Sequence, residues 1–392
     1  MTEVGPSRVV SAHFAPIRMV AVAIVVLALL SRRSTTLWTF IDLSVYRGGA
    51  EQLLHHHSIY DGPADRIGFT YPPFAALTFI PLQVIGEHPA NLVMTLLSLV
   101  AYAAVVVVLG RQLRLQRWIT VVVVGMGGLA LQPLQYNLWL GQINLVLMAL
   151  VLLDVFVMPP RLKGVLIGVA AGIKLTPGIF LLYYIVRRDW ASARRTVLWS
   201  LVTVALGFAV APADSARYWT QLFFNTNRIG DIVFGDNQSI YGVMARVLHT
   251  SQPPRGLYLV LALTAIGLAL LAAQRQLAQG SELGAVVCIA VGGLLVSPVS
   301  WSHHWVWVVP ALLIWFVRRQ SVLAMLGAVT MYLAPMYFTP LQDGKEFGHT
   351  WWQAVASASY VIVGLGFLIS MLTSQRGREA RATADQGALS RM

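Results

Sequence analysis

The chain has 392 residues, 57% of them hydrophobic and 11% charged, with a mean hydropathy of +0.68. A soluble domain carries about 25% charged residues, so this is a polytopic integral membrane protein and not a soluble enzyme or binding module. The formal charge of +12 sits in short joints between apolar runs, where topology and anionic headgroups account for it; membrane lipids are expected partners and nucleic acid is not.

Each apolar run can be measured against the roughly 20 residues that a crossing helix needs. In the first, Ile17–Trp38, the apolar core is followed by Ser31-Arg32-Arg33 and by no small-x-small cleavage site. It reads as a retained span behind a cytoplasmic stub carrying Arg8 and Arg18. Asp42–His57 can be drawn as an amphipathic helix at the interface. Phe69–Ile85 opens on Thr70-Tyr71-Pro72-Pro73 and is interrupted by Pro81. A full crossing there would place the Arg111–Arg117 joint outside, which favours a re-entrant or shallow outer segment, unless a neighbouring segment carries the parity error. Spans are expected at Ala90–Gly110, Trp118–Leu134 and Gly141–Val157. Gly164–Val186 has cations at both ends and Lys174-Leu-Thr-Pro177 in its middle. Two readings stand level: half-length helices entering from the cytoplasm and meeting near Lys174, or one kinked span with Lys174 snorkelling to an interface. The remaining spans are Thr196–Pro212, Leu257–Gln274, Leu283–Pro298, Trp305–Val317, Val322–Phe338 and Trp351–Thr373. The expected fold is all-α, with about 10–12 transmembrane helices plus re-entrant or half-length segments. Residues 1–373 form one transmembrane domain, and 374–392 a disordered basic tail in the cytoplasm.

Two kinds of joint alternate. Arg111/Arg114/Arg117, Arg161/Lys163, Arg187-Arg188, Arg194-Arg195, Arg275 and Arg318-Arg319 are short and basic, which places them in the cytoplasm. Asp42–Pro73, Gln132–Asn144, Asn225–Ser239 and Ser297–His304 have few cations and face outward, so any chemistry is expected on the far side of the membrane.

A carboxylate at a membrane rim is a functional candidate by default. Asp42, within Trp38-Thr-Phe-Ile-Asp42-Leu-Ser-Val-Tyr46, has apolar and aromatic neighbours that would desolvate it and raise its pKa, as suits a general base; helix N-capping is the other use of an Asp there. Glu51, Asp61, Asp65 and Asp236 are the reserve carboxylates. His55-His56-His57 cannot converge on a metal from one helix and reads as a solvated turn. In Ser302-His303-His304-Trp305, one histidine can face a polar cavity while the other meets headgroups. Gln132, Gln135, Asn137, Gln142 and Asn144 gather amides that can cap helices or read sugar hydroxyls. Asn237-Gln-Ser239 matches a glycosylation sequon. No phosphate-binding Gly-rich motif is present, so a cytoplasmic nucleotide donor is not expected. The single cysteine, Cys288, lies in an apolar run and can form no intrachain disulfide.

The ordered set Asp42-Leu-Ser-Val-Tyr46, Phe69-Thr-Tyr-Pro-Pro-Phe74, Gly141-Gln-Ile-Asn144, Gly172-Ile-Lys-Leu-Thr-Pro177, Asn237-Gln-Ser239 and Ser297-Pro-Val-Ser-Trp-Ser-His-His304 resembles the actinobacterial polyprenyl-phosphomannose-dependent α-(1→2)-mannosyltransferases of the GT-C superfamily. The resemblance implies an outer-face cavity, with residues 39–89 as the catalytic first outer loop. It also implies a polyprenyl-phosphate-mannose donor, and a glycolipid acceptor of the phosphatidylinositol mannoside, lipomannan or lipoarabinomannan class. Asp42 matches the family's catalytic aspartate. Transfer would invert the anomeric carbon in one displacement. Lys174, His303, His304 or Arg47 would stabilise the leaving phosphate, and Tyr71, Gln142, Asn144 and Asn237 complete the substrate-binding set. No cofactor and no metal are expected, and the protein is expected to be a monomer in the plasma membrane with its site facing the periplasm. The alternatives are another polyprenyl-phosphate sugar, such as arabinose, or a lipid or sugar transporter.

Overall fold

The computed structural model describes residues 38–61 and 68–373. The expected first span short of Trp38, the reserve carboxylate Asp65 and the basic tail lie outside them. Among the described residues the regular structure is helical, apart from one isolated bridge pairing Asn237 with Trp301.

Helix α1 (Ile41–Leu54) follows Phe40, whose φ of 46° turns the chain sharply at the N-cap position. Asp42 therefore lies inside the first turn and the N-cap reading of it is corrected. α1 packs on α2 (Pro73–Val84), which starts on the Pro72-Pro73 pair. Proline suits a first helical position, where the missing N–H has no partner to lose. At 12 residues α2 is too short to cross. α3 (Glu87–Gln112) is a full-length apolar helix.

The expected span Trp118–Leu134 is instead broken. A π-helical stretch, Thr120–Gly127, meets α4 (Gln132–Leu140) at 63°. Gly127-Gly128 and Pro133 weaken the helical continuity there. α5 (Asn144–Phe156) leads to the second break. α6 (Val165–Ile173) ends at Lys174, whose backbone is extended (φ −146°, ψ 132°); a 3₁₀ turn, Thr176–Phe180, and α7 (Leu181–Arg187) follow. The kinked-span alternative is thus set aside in favour of two half-helices. α8 (Trp190–Val210) begins earlier than expected because Asp189 caps it through the Ser192 N–H at 3.1 Å, so Arg194-Arg195 lie in a helix and not in a joint.

The rest comprises α9 (Pro212–Thr220), α10 (Ile240–Val247), α11 (Arg255–Ala278), α12 (Glu282–Val296), a 3₁₀ turn Ser302–Trp307 running into α13 (Val308–Val317), α14 (Ser321–Leu333), α15 (Trp351–Ser357) and α16 (Ser359–Thr373). α15 and α16 are bent by 66°. The Ser357 carbonyl at the bend accepts from Gln238 (2.7 Å) and Arg246 (2.9 Å). Among the described residues α3, α8 and α11 are long and apolar enough to cross alone, giving five spans if each bent pair counts as one. Shorter apolar helices, α2, α5, α12, α13 and α14, fill out the bundle.

Beside a small cluster of Ile232, Val233, Ala245 and Val299, two larger apolar cores result. One joins α3, α5, α7 and α11 to α16. The other gathers Leu43, Tyr46, Phe79, Met94, Ile143, Leu147 and Ile173 from α1, α2, α3, α5 and α6. α6 is locked to α8 through Gly164, Gly168 and Gly172, where an added Cβ would meet Ser192, Thr196, Trp199 and Thr203 at under 3 Å. Such small-xxx-small stripes let backbones approach where lipid supplies no hydrophobic drive.

Candidate active site

A cavity of about 560 Å³ opens between the two cores. One part of its wall is polar: Asp42, Thr70, Tyr71, Gln142, Asn144, Lys174, Arg228 and His304. Another part is apolar and runs along Leu147, Met148, Val151, Ile179, Phe180, Ala290, Leu294 and Trp307.

Asp42 reaches the cavity because α1 lies against the α4–α5 turn. Gly141 adopts φ 66° there, and a Cβ on it would meet that of Leu43 at 2.8 Å, so only glycine lets the helix come this close. The next residue, Gln142, is fixed by reciprocal bonds with Asn137: Gln142 N–H to the Asn137 carbonyl at 2.8 Å, and the Asn137 amide to the Gln142 carbonyl at 2.9 Å. The Gln142 side chain accepts from the Tyr46 hydroxyl (2.7 Å), donates to the Tyr71 hydroxyl (3.3 Å) and bonds the Asp42 carboxylate. Burial pushes the Asp42 carboxyl up from 3.8 to about 6; the Gln142 amide and the Lys174 charge oppose the rise, and Asp236 adds to it. The Asp42 Oδ2 atom is buried with no hydrogen-bond partner. A carboxylate oxygen left so is expensive and is well suited to accept a proton.

Lys174 sits at the break between the half-helices. Its ammonium donates to Asn144 Oδ1 at 2.9 Å, lies 3.1 Å from His304 Nε2 and stands 5.4 Å from the centre of the Tyr71 ring. An ammonium has three donors; two are held by Asn144 and His304, and the third is available to an anion in the cavity. Among the described residues no three His, Cys, Asp or Glu side chains are grouped as a metal ion would require.

Six of the expected residues line this cavity: Asp42, Tyr71, Gln142, Asn144, Lys174 and His304. Three do not. Arg47 Nε turns to the Leu82 carbonyl at 3.2 Å, near the end of α2. Asn237 is fully buried and spends its side chain on the Ile232 and Pro298 carbonyls (both 3.1 Å) and the Ser300 N–H (3.0 Å), so it ties two loops together and is no surface sequon. His303 is buried against Tyr136 and His304 with neither ring nitrogen bonded, while its carbonyl accepts from Asn144 at 3.0 Å; His304 is the histidine that faces the site. The His55–His57 turn is exposed. Arg228 went unread in the sequence, although an arginine in a joint otherwise poor in cations was the available signal.

Residues 69–298 match glycosyltransferase family 87. A polyprenol-phosphate-mannose-dependent alpha-(1-2)-phosphatidylinositol mannoside mannosyltransferase of Mycobacterium tuberculosis is 36% identical over 358 residues, covering 84% of this chain and 83% of that protein. A protein of the same description from Mycolicibacterium smegmatis is 36% identical over 377 residues, covering 85% of each. A phosphatidylinositol pentamannoside mannosyltransferase of M. smegmatis with the same donor dependence is 34% identical over 355 residues, covering 86% of each. No solved structure matches the chain.

Proposed function

The chain belongs to glycosyltransferase family 87, and from that premise we propose how its cavity performs mannosyl transfer. The protein is a polyprenyl-phosphate-mannose-dependent mannosyltransferase acting on phosphatidylinositol mannosides through an α-(1→2) bond. In the proposed mechanism Asp42 takes the proton of the acceptor's 2-hydroxyl as that oxygen attacks the anomeric carbon. The bond from that carbon to the phosphate oxygen breaks, its electron pair leaves with polyprenyl phosphate, and the configuration inverts. Lys174, steadied by Asn144 and His304, offers its free donor to the phosphate as charge develops there. This charge takes the place a metal ion would otherwise fill. The apolar wall along Leu147, Val151, Phe180 and Leu294 takes the first isoprene units of the donor. Both substrates keep their tails in lipid while their heads meet in the cavity, which faces the periplasm in this reading, and one chain suffices for the site.

The observation that carries the reading is the pairing in one cavity of a carboxylate having an unbonded buried oxygen with an ammonium already fixed on two neutral partners. The test uses membranes containing the protein, labelled polyprenyl-phosphomannose, and phosphatidylinositol mannosides of increasing length. Label should pass to one acceptor length and be released by an α-(1→2)-specific mannosidase. Absence of transfer to every mannoside by folded protein would overturn the reading.

A further inference from the structure

Tyr71 contacts both Gln142 and Lys174, yet the segment that carries it belongs to no helix. Residues 68–71 precede Pro72 and Pro73, which have no N–H to give, and the carbonyls of Phe69, Thr70 and Tyr71 must find partners elsewhere. They find them in two side chains. The Arg228 guanidinium donates to Phe69 O at 3.1 Å and to Thr70 O at 2.8 Å, and the Tyr60 hydroxyl donates to Tyr71 O at 2.8 Å. Arg228 Nε is anchored on Leu222 O at 3.2 Å, and the guanidinium lies 5.6 and 5.5 Å from the ring centres of Tyr60 and Tyr218. Three successive carbonyls are thus gripped, and the next link outward is the Tyr71 hydroxyl against Gln142 and Tyr46 (3.3 and 3.2 Å).

We propose that Arg228 and Tyr60 form a backbone clamp whose function is to position Tyr71, and through Tyr71 the Gln142 amide against Asp42. The clamp rests on the reading of Asp42 as the base. In this reading both are positioning residues: Arg228 lines the cavity, but its guanidinium is spent on the Leu222, Phe69 and Thr70 carbonyls. A planar fork is required because two adjacent carbonyls must be bridged at once, which a lysine's point charge does not do.

The test is steady-state transfer by full-length protein in detergent, with thermal unfolding measured alongside. Arg228→Lys keeps the charge and loses the fork; kcat should fall about 10²-fold, the scale of a small misplacement at a reacting centre, with donor and acceptor KM nearly unchanged. Tyr60→Phe removes one hydroxyl only and should lower kcat about tenfold at an unchanged unfolding temperature, since a lost hydrogen bond of this kind is worth roughly one factor of ten. Combining either with Tyr71→Phe should cost no more than the worse single change, because all act through one link. Near-normal kcat in Tyr60→Phe overturns the clamp whether or not Arg228→Lys folds, as do losses that multiply in the double variants. Asp42→Asn in the same assay keeps the two readings apart. If it is inactive while the clamp variants are normal, only the clamp is lost. If it retains turnover, the base assignment falls and the clamp with it.

Discussion

Asp42 is held where its proton affinity is useful: buried enough to rise to about 6, yet bonded to the Gln142 amide and within the field of Lys174 so that it still ionises near neutrality. A general base works deprotonated, so kcat should climb through a midpoint near pH 6 and fall about tenfold per pH unit well below it. An acid limb lying well below pH 6 would point instead to an exposed carboxylate such as Asp61, which its bond from Arg217 holds below the usual carboxylate range. Asp42→Asn removes the proposed proton acceptor with little change in volume and should cost about 10²–10⁴-fold in kcat while the unfolding temperature holds. In the proposed mechanism Lys174→Ala removes the charge that would meet the leaving phosphate, and about 10²–10³-fold is the usual loss for such a donor. The loss should appear in kcat, with a smaller change in acceptor KM; equal turnover in the alanine variant would reassign this lysine to structure. The place of both residues in the cavity was legible in the sequence because charge in an apolar setting is costly and therefore conspicuous. Arg47 and Asn237 were misread for the converse reason. Their polar character was plain, but whether it points to a cavity or to a neighbouring carbonyl depends on contacts between segments far apart in the chain, such as Asn237 with Pro298.

At the level of elements, the break at Lys174 could be foreseen from Thr176-Pro177, because proline disfavours helical geometry in the residue before it. What holds the first half-helix in place was less visible. α5 grips α6 at both ends: Asp154 accepts from the Gly164, Leu166 and Ile167 N–H groups (2.7, 2.8 and 3.2 Å), and Asn144 takes the Lys174 ammonium. The glycine stripe then presses α6 onto α8. Periodicity revealed an apolar run here, but not which face of it lacks side chains for a reason. Gly168 is the sharpest case, since a Cβ there would meet Thr196 O at 2.8 Å and Ser200 N at 3.0 Å, and backbone cannot swing aside. Gly168→Ala should therefore destabilise the protein by about 1–3 kcal/mol, the usual cost of overpacking, and lower transfer by displacing Lys174. Gly267→Ala in α11, where nothing lies within 4 Å, is the matched control and should leave the unfolding temperature equal or slightly higher. Equal stability of the two variants would show that α6 and α8 separate at no cost.

Over the whole molecule, the side chains that bond across helix ends sort by charge. Arg187 pairs with Glu282, Arg318 bonds Gln276 beside Arg275, and Arg195, near the start of α8, donates to the Lys163 and Pro160 carbonyls (2.7 and 2.6 Å), so the basic segments meet one another. The amide- and aromatic-rich joints meet as well: Gln238 N–H donates to Ser300 O at 2.7 Å, Tyr337 bonds Asp236, and Arg228 holds Phe69 and Thr70. Short basic joints stay in the cytoplasm, which is why the cavity is proposed to open to the periplasm, where two lipid-borne substrates can each enter from the outer leaflet. Cysteine labelling in intact cells tests this directly. Cys288 is buried, and a Cys288→Ala background removes it as a label site. On that background His57→Cys and Asp343→Cys, both exposed, should react with a membrane-impermeant maleimide. Arg114→Cys and Arg319→Cys should react only after the cells are opened. Labelling of Arg114→Cys from outside would invert the orientation of α3, put the donor's leaving phosphate on the cytoplasmic side, and overturn the proposed periplasmic site.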